Sequence, residues 1–185
     1  MNTNLKYYER YLIVDLEATC CDKGSIKRGE MEIIEIGAVM VDKSAFNILD
    51  EFQIFIKPVR NPVLTSFCKE LTSITQQQVD KSLYFPEAIK GFKNWLYQFN
   101  NFAFCSWGDY DKNQIEIDCL FHNQTNPINA SHFNIKKEFS ITQDLKKKLG
   151  MAQALKHVSL SLDGTHHRGI DDARNMAKLM PYIVK

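Results

Sequence analysis

The sequence predicts a mixed α/β fold built on one central sheet. Three apolar, β-branched segments come first along the chain, and segments with helical periodicity follow them. One further strand-like segment lies between the helices, and the connection between the second and third strands is short enough for an antiparallel hairpin. This order of elements is typical of a sheet that carries helices on its faces.

Four segments have the character of strands. Residues 10–17 form an apolar run, residues 32–42 and 46–57 are rich in apolar and β-branched side chains, and residues 102–107 form a shorter apolar segment. Pro58 ends the third segment because proline cannot donate a hydrogen bond to a sheet. We therefore expect three strands before the first helix and one strand after it.

Helical periodicity begins after residue 62. Pro86 opens a helix predicted over 86–99, with Ile89 and Phe92 on its apolar face. Asp109 is placed as the N-cap of a helix that continues through Leu120. The other helices are predicted at residues 63–71, 75–81, 135–149, 151–158 and 169–180.

Length and composition set limits on the class of protein. The chain has 185 residues, and at about 150 residues per domain this predicts one domain over 1–185. The net charge of +1 does not identify a partner. Five cysteines without C-x-x-C spacing are typical of reduced thiols, and no run approaches the roughly 20 apolar residues of a membrane span. We expect a cytoplasmic protein with no membrane partner.

Two acids close the first predicted strand. Asp15 and Glu17 are separated by one residue, so they point to the same side of that strand. Neighbouring carboxylates repel each other and resist removal from water unless a cation lies between them. The pair indicates a metal site, although a strand that simply runs out into solvent would have the same pattern.

A second acidic segment lies where the strand 102–107 turns into a helix. Ligands bind at such strand ends in open α/β sheets. Asp109 occupies the capping position, so we assign the chemistry to Asp111. The alternative is that both aspartates only stabilise the beginning of the helix.

The third segment is the sequence HHRGIDDA. On one continuous helix His167 and Asp172 would lie about 140° apart, so they converge only if His167 is on a loop and Asp172 is within the helix. Gly164 and Gly169 make such a loop easy to form. Asp171 and Asp172 lie about 100° apart on a helix, so only one of the two is expected to face the site.

These motifs together resemble the DnaQ-like 3′→5′ exonuclease superfamily in its DEDDh branch. The first appears as VDLEATC, the second as WGDYD, and the third as HHRGIDDA, and the similarity extends over about residues 10–180. DLEATC and GTHHRGIDDA are most similar to the Eri-type and histone-mRNA 3′ exonuclease branch, with its KapD-like bacterial relatives. The resemblance implies a ribonuclease H-like α/β fold whose central mixed sheet has five strands, three antiparallel and then parallel strands, flanked by helices.

The resemblance also implies the chemistry of the site. A two-metal mechanism that releases nucleoside 5′-monophosphates requires two divalent ions, and hard carboxylate ligands suit Mg²⁺ or Mn²⁺. The implied ligands and catalytic acids are Asp15, Glu17, Asp111 and Asp172, with Asp15 bridging both ions. His167 is the expected general base, because an imidazole with a pKa near 6.5 removes protons at neutral pH. His166 is the rival candidate for the base. The spacing to Asp172 favours His167, and His166 is otherwise expected to support a ligand or to lie on the surface.

The expected partner is a nucleic acid with a free 3′ end. The amino-acid sequences of the motifs favour RNA over DNA. The candidate contacts to the terminal nucleotide are Ala18, Thr19, Leu71, Tyr110 and His167, although core packing would equally explain Leu71 and Tyr110. A DNA exonuclease of the proofreading or repair type is one alternative, and an inactive nucleic-acid-binding module or an interaction subunit of a larger assembly are others.

The most basic region contains the lysines at positions 136, 137, 146, 147, 148 and 156. Such a region can follow a phosphate backbone. A solvated helix face is the more common explanation of such a run.

Overall fold

A six-stranded sheet forms the centre of the structure, a computed structural model that describes residues 4–184. The strands are β1 (Arg10–Ala18), β2 (Ile33–Asp42), β3 (Ile48–Lys57), β4 (Leu83–Tyr84), β5 (Phe102–Ser106) and β6 (His132–Asn134). Their order across the sheet is β4-β3-β2-β1-β5-β6. β1, β2 and β3 pair antiparallel, whereas β5 is parallel to β1 and β6 is parallel to β5. The mixed α/β, ribonuclease H-like fold is therefore confirmed.

The sheet differs from the prediction in its number of strands. It contains six strands rather than five, because β4 pairs with the end of β3 through two residues and β6 adds three residues beside β5. Segments this short are too brief to show a two-residue hydrophobic period in the sequence. Their extended conformation is set by pairing with the neighbouring strand.

Seven helices flank the sheet within the described residues. They are α1 (Ser66–Thr72), α2 (Gln76–Asp80), α3 (Phe85–Leu96), α4 (Tyr110–Phe121), α5 (Ile135–Thr142), α6 (Met151–His157) and α7 (Gly169–Leu179). Short 3₁₀ turns lie at Asn4–Tyr7, Arg28–Glu30 and Met180–Tyr182. None of these helices combines the length and the apolar character that crossing a membrane requires.

β1 lies in the middle of the sheet and is buried on both faces. Tyr11 and Ile13 pack into a core formed with α5, α6 and α7, whereas Leu12 and Val14 pack into a second core formed with α3 and α4. A strand covered on both sides is apolar at every position rather than at alternate positions. This explains why residues 11–14 form a continuous apolar run that ends at the first acid.

Most predicted helices agree with the structure within a few residues, but the helix predicted over 135–149 is too long. α5 ends at Thr142, and Asp144 adopts the left-handed backbone region with a φ of 51°. The chain then turns back, with the main-chain N–H of Leu145 donating to the carbonyl of Ser140. A residue with positive φ cannot continue a right-handed helix, so residues 143–150 form a loop.

A close approach of two glycines fixes the position of α7. A Cβ atom on Gly37 of β2 would lie 2.0 Å from the carbonyl carbon of Gly169, and one on Gly169 would lie 2.9 Å from the carbonyl oxygen of Asp15. Only glycine fits at such separations. The first turn of α7 therefore rests directly on β1 and β2.

Candidate functional site

The acids of the first motif lie at the end of β1. Asp15 pairs in register with Gly37 of β2, and Glu17 pairs with Glu35. Glu17 is buried, with 8% of its surface exposed, and Asp15 is partly exposed. Both line a cavity of about 370 Å³, which is the space around which the other candidate residues converge.

The second motif reaches this cavity through α4. Asp111 lies in the first turn of the helix, is 5% exposed, and accepts a 3.0 Å hydrogen bond from the main-chain N–H of Leu16. Asp109 occupies the N-cap position, but its side chain makes no capping hydrogen bond. Its carboxylate instead accepts a hydrogen bond from the side chain of Asn134 and lies 3.9 Å from His132. The capping role expected for the Asp109 side chain is thus wrong, because β6 offers it closer partners.

The third motif has the expected geometry of a loop followed by a helix. His167 lies before α7 with a φ of 63°, and its main-chain N–H donates a 3.0 Å hydrogen bond to the carboxylate of Asp172. Asp172 is in the first turn of α7 and is 5% exposed. The carboxylate of Asp171 instead accepts hydrogen bonds from the main chain of Thr165 and from Arg174. Asp172 therefore faces the cavity, and Asp171 does not line it.

The two histidines stack on each other at the edge of the cavity. Their ring centroids are 4.0 Å apart. The Nδ1 atom of His166 lies 2.9 and 3.1 Å from the two carboxylate oxygens of Asp172, and the His166 side chain is 41% exposed. Within residues 4–184 no hydrogen bond is made to the ring of His167, which also lines the cavity. His166 is thus held by Asp172, whereas the ring of His167 is free to contact a ligand.

Burial disfavours the charges of the four acids, and repulsion from neighbouring acids adds to it at Asp15 and Glu17. Burial, reinforced first by the charge of Asp111, raises the pKa of Asp15 well above its usual range. Burial and the charge of Asp172 raise the pKa of Glu17 to about 8. Burial raises the pKa of Asp111 to about 6 despite the hydrogen bond from Leu16, and it also raises the pKa of Asp172. Without a counter-charge, the site holds protons that a cation would displace.

The donors at this site fit a divalent metal ion. One carboxylate oxygen from each of Asp15, Glu17 and Asp172 lies within 4.8 Å of the other two. Hard carboxylate oxygens are the ligands that Mg²⁺ and Mn²⁺ prefer. Asp111 lines the same cavity, but its carboxylate is not part of this cluster of three oxygens.

The sequence did not single out Glu35, which connects the site to α7. Glu35 is completely buried and accepts hydrogen bonds from Arg168, from the main-chain N–H of Gly169 and from Gln53. Its carboxylate holds the beginning of α7 against β2, and its charge also raises the pKa of Glu17. An acid inside the apolar run EIIEIGAV was the available signal.

The residues expected to contact the terminal nucleotide divide into two groups. Tyr110 lines the cavity, and the guanidinium of Arg28 lies 5.5 Å from the centre of its ring. The described residues that line this cavity do not include Ala18, Thr19 or Leu71. The hydroxyl of Thr19 accepts a hydrogen bond from the main chain of Glu32, so this side chain holds the end of β1 in place.

Similarity to known proteins agrees with this geometry. The family model described as Exonuclease matches residues 12–180. The chain is 29% identical to ERI1 exoribonuclease 2 of Xenopus laevis over 97% of its own length and 29% of that protein. It is 30% identical to 3′-5′ exonuclease Snipper of Drosophila melanogaster over 96% of its own length and 70% of that protein.

A solved structure has the same fold. The nuclease domain of 3′hExo, a DEDDh family member bound to rAMP, superimposes with a TM-score of 0.87 and 28% identity, over 94% of this chain and 90% of that one. The chain spans less than a third of the length of the Xenopus relative.

Proposed function

Because the chain belongs to the exonuclease family, in its Eri-type DEDDh branch, we propose that it removes nucleotides from the 3′ end of RNA. The products are nucleoside 5′-monophosphates. The observation that carries this proposal is the convergence of three carboxylate oxygens, one from each of Asp15, Glu17 and Asp172, in a cavity that the imidazole of His167 also lines. The names of the relatives favour RNA over DNA, since one is called an exoribonuclease and another binds rAMP.

The four acids have the role of metal ligands in this proposal. Two divalent ions, Mg²⁺ or Mn²⁺, would when bound stabilise the charge on the attacking and leaving oxygens and make a water molecule more acidic. Asp15, Glu17 and Asp172, whose carboxylate oxygens lie within 4.8 Å of one another, would hold these ions. Asp111 would contribute directly or through water while its hydrogen bond to Leu16 keeps it oriented.

His167 is the proposed general base. Burial and the neighbouring His166 lower the pKa of His167 below its usual range, so its ring is neutral and able to accept a proton at physiological pH. Asp172 holds the main chain of His167 in place through the hydrogen bond to its N–H. His166 would act indirectly, by orienting the Asp172 carboxylate.

The terminal nucleotide would occupy the cavity beside Tyr110. A base can stack on an aromatic ring whatever its identity, which suits an enzyme that removes successive nucleotides. Ala18, Thr19 and Leu71 would then contribute main-chain or apolar contacts at the margin of the cavity. The five unpaired cysteines support a cytoplasmic location, where thiols stay reduced.

A cleavage assay tests the proposal. The substrates are 5′-labelled single- and double-stranded RNA and DNA, each incubated with Mg²⁺, Mn²⁺ or a chelator. We expect a metal-dependent ladder that shortens from the 3′ end and is strongest with RNA. Asp111→Asn should abolish it, whereas Asp109→Asn, two residues away and not lining the cavity, should not. Products that shorten from the 5′ end, or cleavage that Asp111→Asn leaves unchanged, would contradict the proposal.

A further inference from the structure

Four lysines form an exposed basic surface beside the catalytic cavity. Lys137, Lys146, Lys147 and Lys148, called the lysine surface below, line a separate cavity of about 460 Å³. All four side chains are exposed. Across the described chain, none of their ammonium groups forms an ion pair or a hydrogen bond with protein. Their positive charges are therefore available to an external anion.

The loop 143–150 connects the lysine surface to the catalytic cavity. Gly150, at the end of this loop, lines the catalytic cavity together with Met151 and Trp107. The indole N–H of Trp107 donates a 3.1 Å hydrogen bond to the carbonyl of Leu149, which fixes the end of the loop. Lys148 precedes Gly150 by two residues, so their Cα atoms are at most about 7 Å apart.

The position of these lysines argues against a solvated helix face. Lys146, Lys147 and Lys148 follow the end of α5 and lie on the loop, not on a helix. Lys137 of α5 also lines a further cavity with Lys148, so the helix and the loop contribute to one surface. Three consecutive exposed lysines on a loop anchored to the active site point to a ligand and not to the solubility of a helix.

The distribution of charge suits a polyanion. Residues 136–148 contain five lysines and two acids, although the whole chain has a net charge of only +1. The catalytic cavity itself is lined by carboxylates, which repel phosphates wherever no metal ion offsets them. Positive charge immediately outside the cavity would compensate for that repulsion along the incoming strand.

We propose that the lysine surface binds the phosphodiester backbone of the substrate strand upstream of the 3′-terminal nucleotide, while that nucleotide occupies the catalytic cavity. The inference rests on the proposed exonuclease function and adds a binding site for the body of the strand. Lysine ammonium groups act as point charges on phosphates and do not read base edges. The contact is therefore independent of sequence, depends on salt and requires a substrate longer than a dinucleotide.

The test compares a long and a short substrate. The variant Lys146→Ala/Lys147→Ala/Lys148→Ala and the wild type are assayed on a 5′-labelled RNA 12-mer and on an RNA dinucleotide, at several salt concentrations. We expect the variant to lose about tenfold in kcat/KM on the 12-mer, through KM. Its log–log dependence on salt should be less steep by about 2, from about 0.7 for each lost single-strand phosphate contact. Turnover of the dinucleotide should not change.

A second variant controls for net charge. Lys81→Ala/Lys90→Ala/Lys93→Ala removes the same number of charges from the α2–α3 region and should behave as the wild type on both substrates. Equal losses in the two triple variants, or equal losses on both substrates, would overturn the lysine surface as a binding site. So would an unchanged salt dependence in the first variant while the wild type degrades the 12-mer. A wild type that degrades neither RNA would overturn the exonuclease function as well.

Discussion

The main-chain N–H of His167 donates a 3.0 Å hydrogen bond to the carboxylate of Asp172, five residues further along the chain. On one continuous helix these residues would lie about 140° apart. They meet because α7 begins at Gly169 and His167 lies before it in the left-handed backbone region. One carboxylate thus belongs to the proposed metal site and also positions the proposed base.

The two adjacent histidines should differ in their effect on catalysis. His167→Ala should lower kcat by about 10²–10⁴-fold, the usual contribution of a general base, because the ring of His167 lines the cavity and, within residues 4–184, makes no hydrogen bond to the protein. His166→Ala should have a smaller effect, since it removes a hydrogen bond to Asp172 and not the base itself. Single-turnover cleavage measures both, with Mn²⁺ titration as the control for metal binding. Similar losses in the two variants would contradict the assignment.

The pH profile should reflect the environment of His167. Burial, followed by the neighbouring His166, lowers the pKa of His167 below its usual 6.5, against an opposing influence from Asp172. A base is active in its neutral form, so the rising limb of kcat/KM should lie below pH 6.5 at saturating metal concentration. His166→Asn should move this limb upward, because it removes one of the causes that lower the pKa of His167. A limb above pH 6.5 in the wild type would argue against His167 as the base.

The metal-free protein should lose stability as the pH rises. The pKa of Glu17 is about 8 in the folded protein and 4.5 for an ordinary glutamate, so between these values the folded chain binds more protons than the unfolded chain. The free energy of unfolding then falls with increasing pH over this window. With EDTA present, Tm should be lower at pH 8 than at pH 5, and added Mn²⁺ should raise Tm more at pH 8.

Two glutamine variants test the origin of this effect. Glu17→Gln should flatten the dependence of Tm on pH, because it removes a buried carboxyl group and its repulsion of the neighbouring acids. Glu116→Gln changes an exposed acid of α4 and should leave the dependence as in the wild type. A pH dependence that Glu17→Gln does not alter would contradict this explanation.

Glu35 should stabilise the fold through its contacts with the beginning of α7. Glu35→Ala leaves Arg168 and the main-chain N–H of Gly169 without their shared acceptor, and removing one partner of a buried pair costs about 3–5 kcal/mol in unfolding free energy. Glu35→Gln keeps an acceptor oxygen and should cost less. Urea denaturation measures both variants.

A surface ion pair provides the control for Glu35. Glu51 of β3 pairs with Arg174 of α7, where the arginine and glutamate side chains are 45% and 35% exposed. Glu51→Ala should cost at most about 1 kcal/mol, as is usual for exposed pairs. If Glu35→Ala costs no more than Glu51→Ala, the buried carboxylate does not anchor α7.

Local patterns in the sequence were sufficient for the main elements and for the acids of the site. The apolar run before Asp15 predicted β1, and the spacing of His167 and Asp172 predicted a loop followed by a helix. Both predictions depend on residues close together in the chain, where the periods of strands and helices determine which side chains share a face. Asp111 lines the cavity as expected, but the reason for preferring it over Asp109, a capping role for the Asp109 side chain, was wrong.

Contacts between distant residues decided the rest. Asp109 accepts a hydrogen bond from Asn134, and Glu35 accepts one from Arg168. The two short strands β4 and β6 exist only through pairing with β3 and β5. The end of α5 at Thr142 likewise placed three lysines on a loop beside the cavity. By itself the sequence predicted which residues share a face of each strand or helix, because periodicity is local. Only the tertiary structure decided which of them meet, because burial and hydrogen bonding join residues that are far apart in the chain.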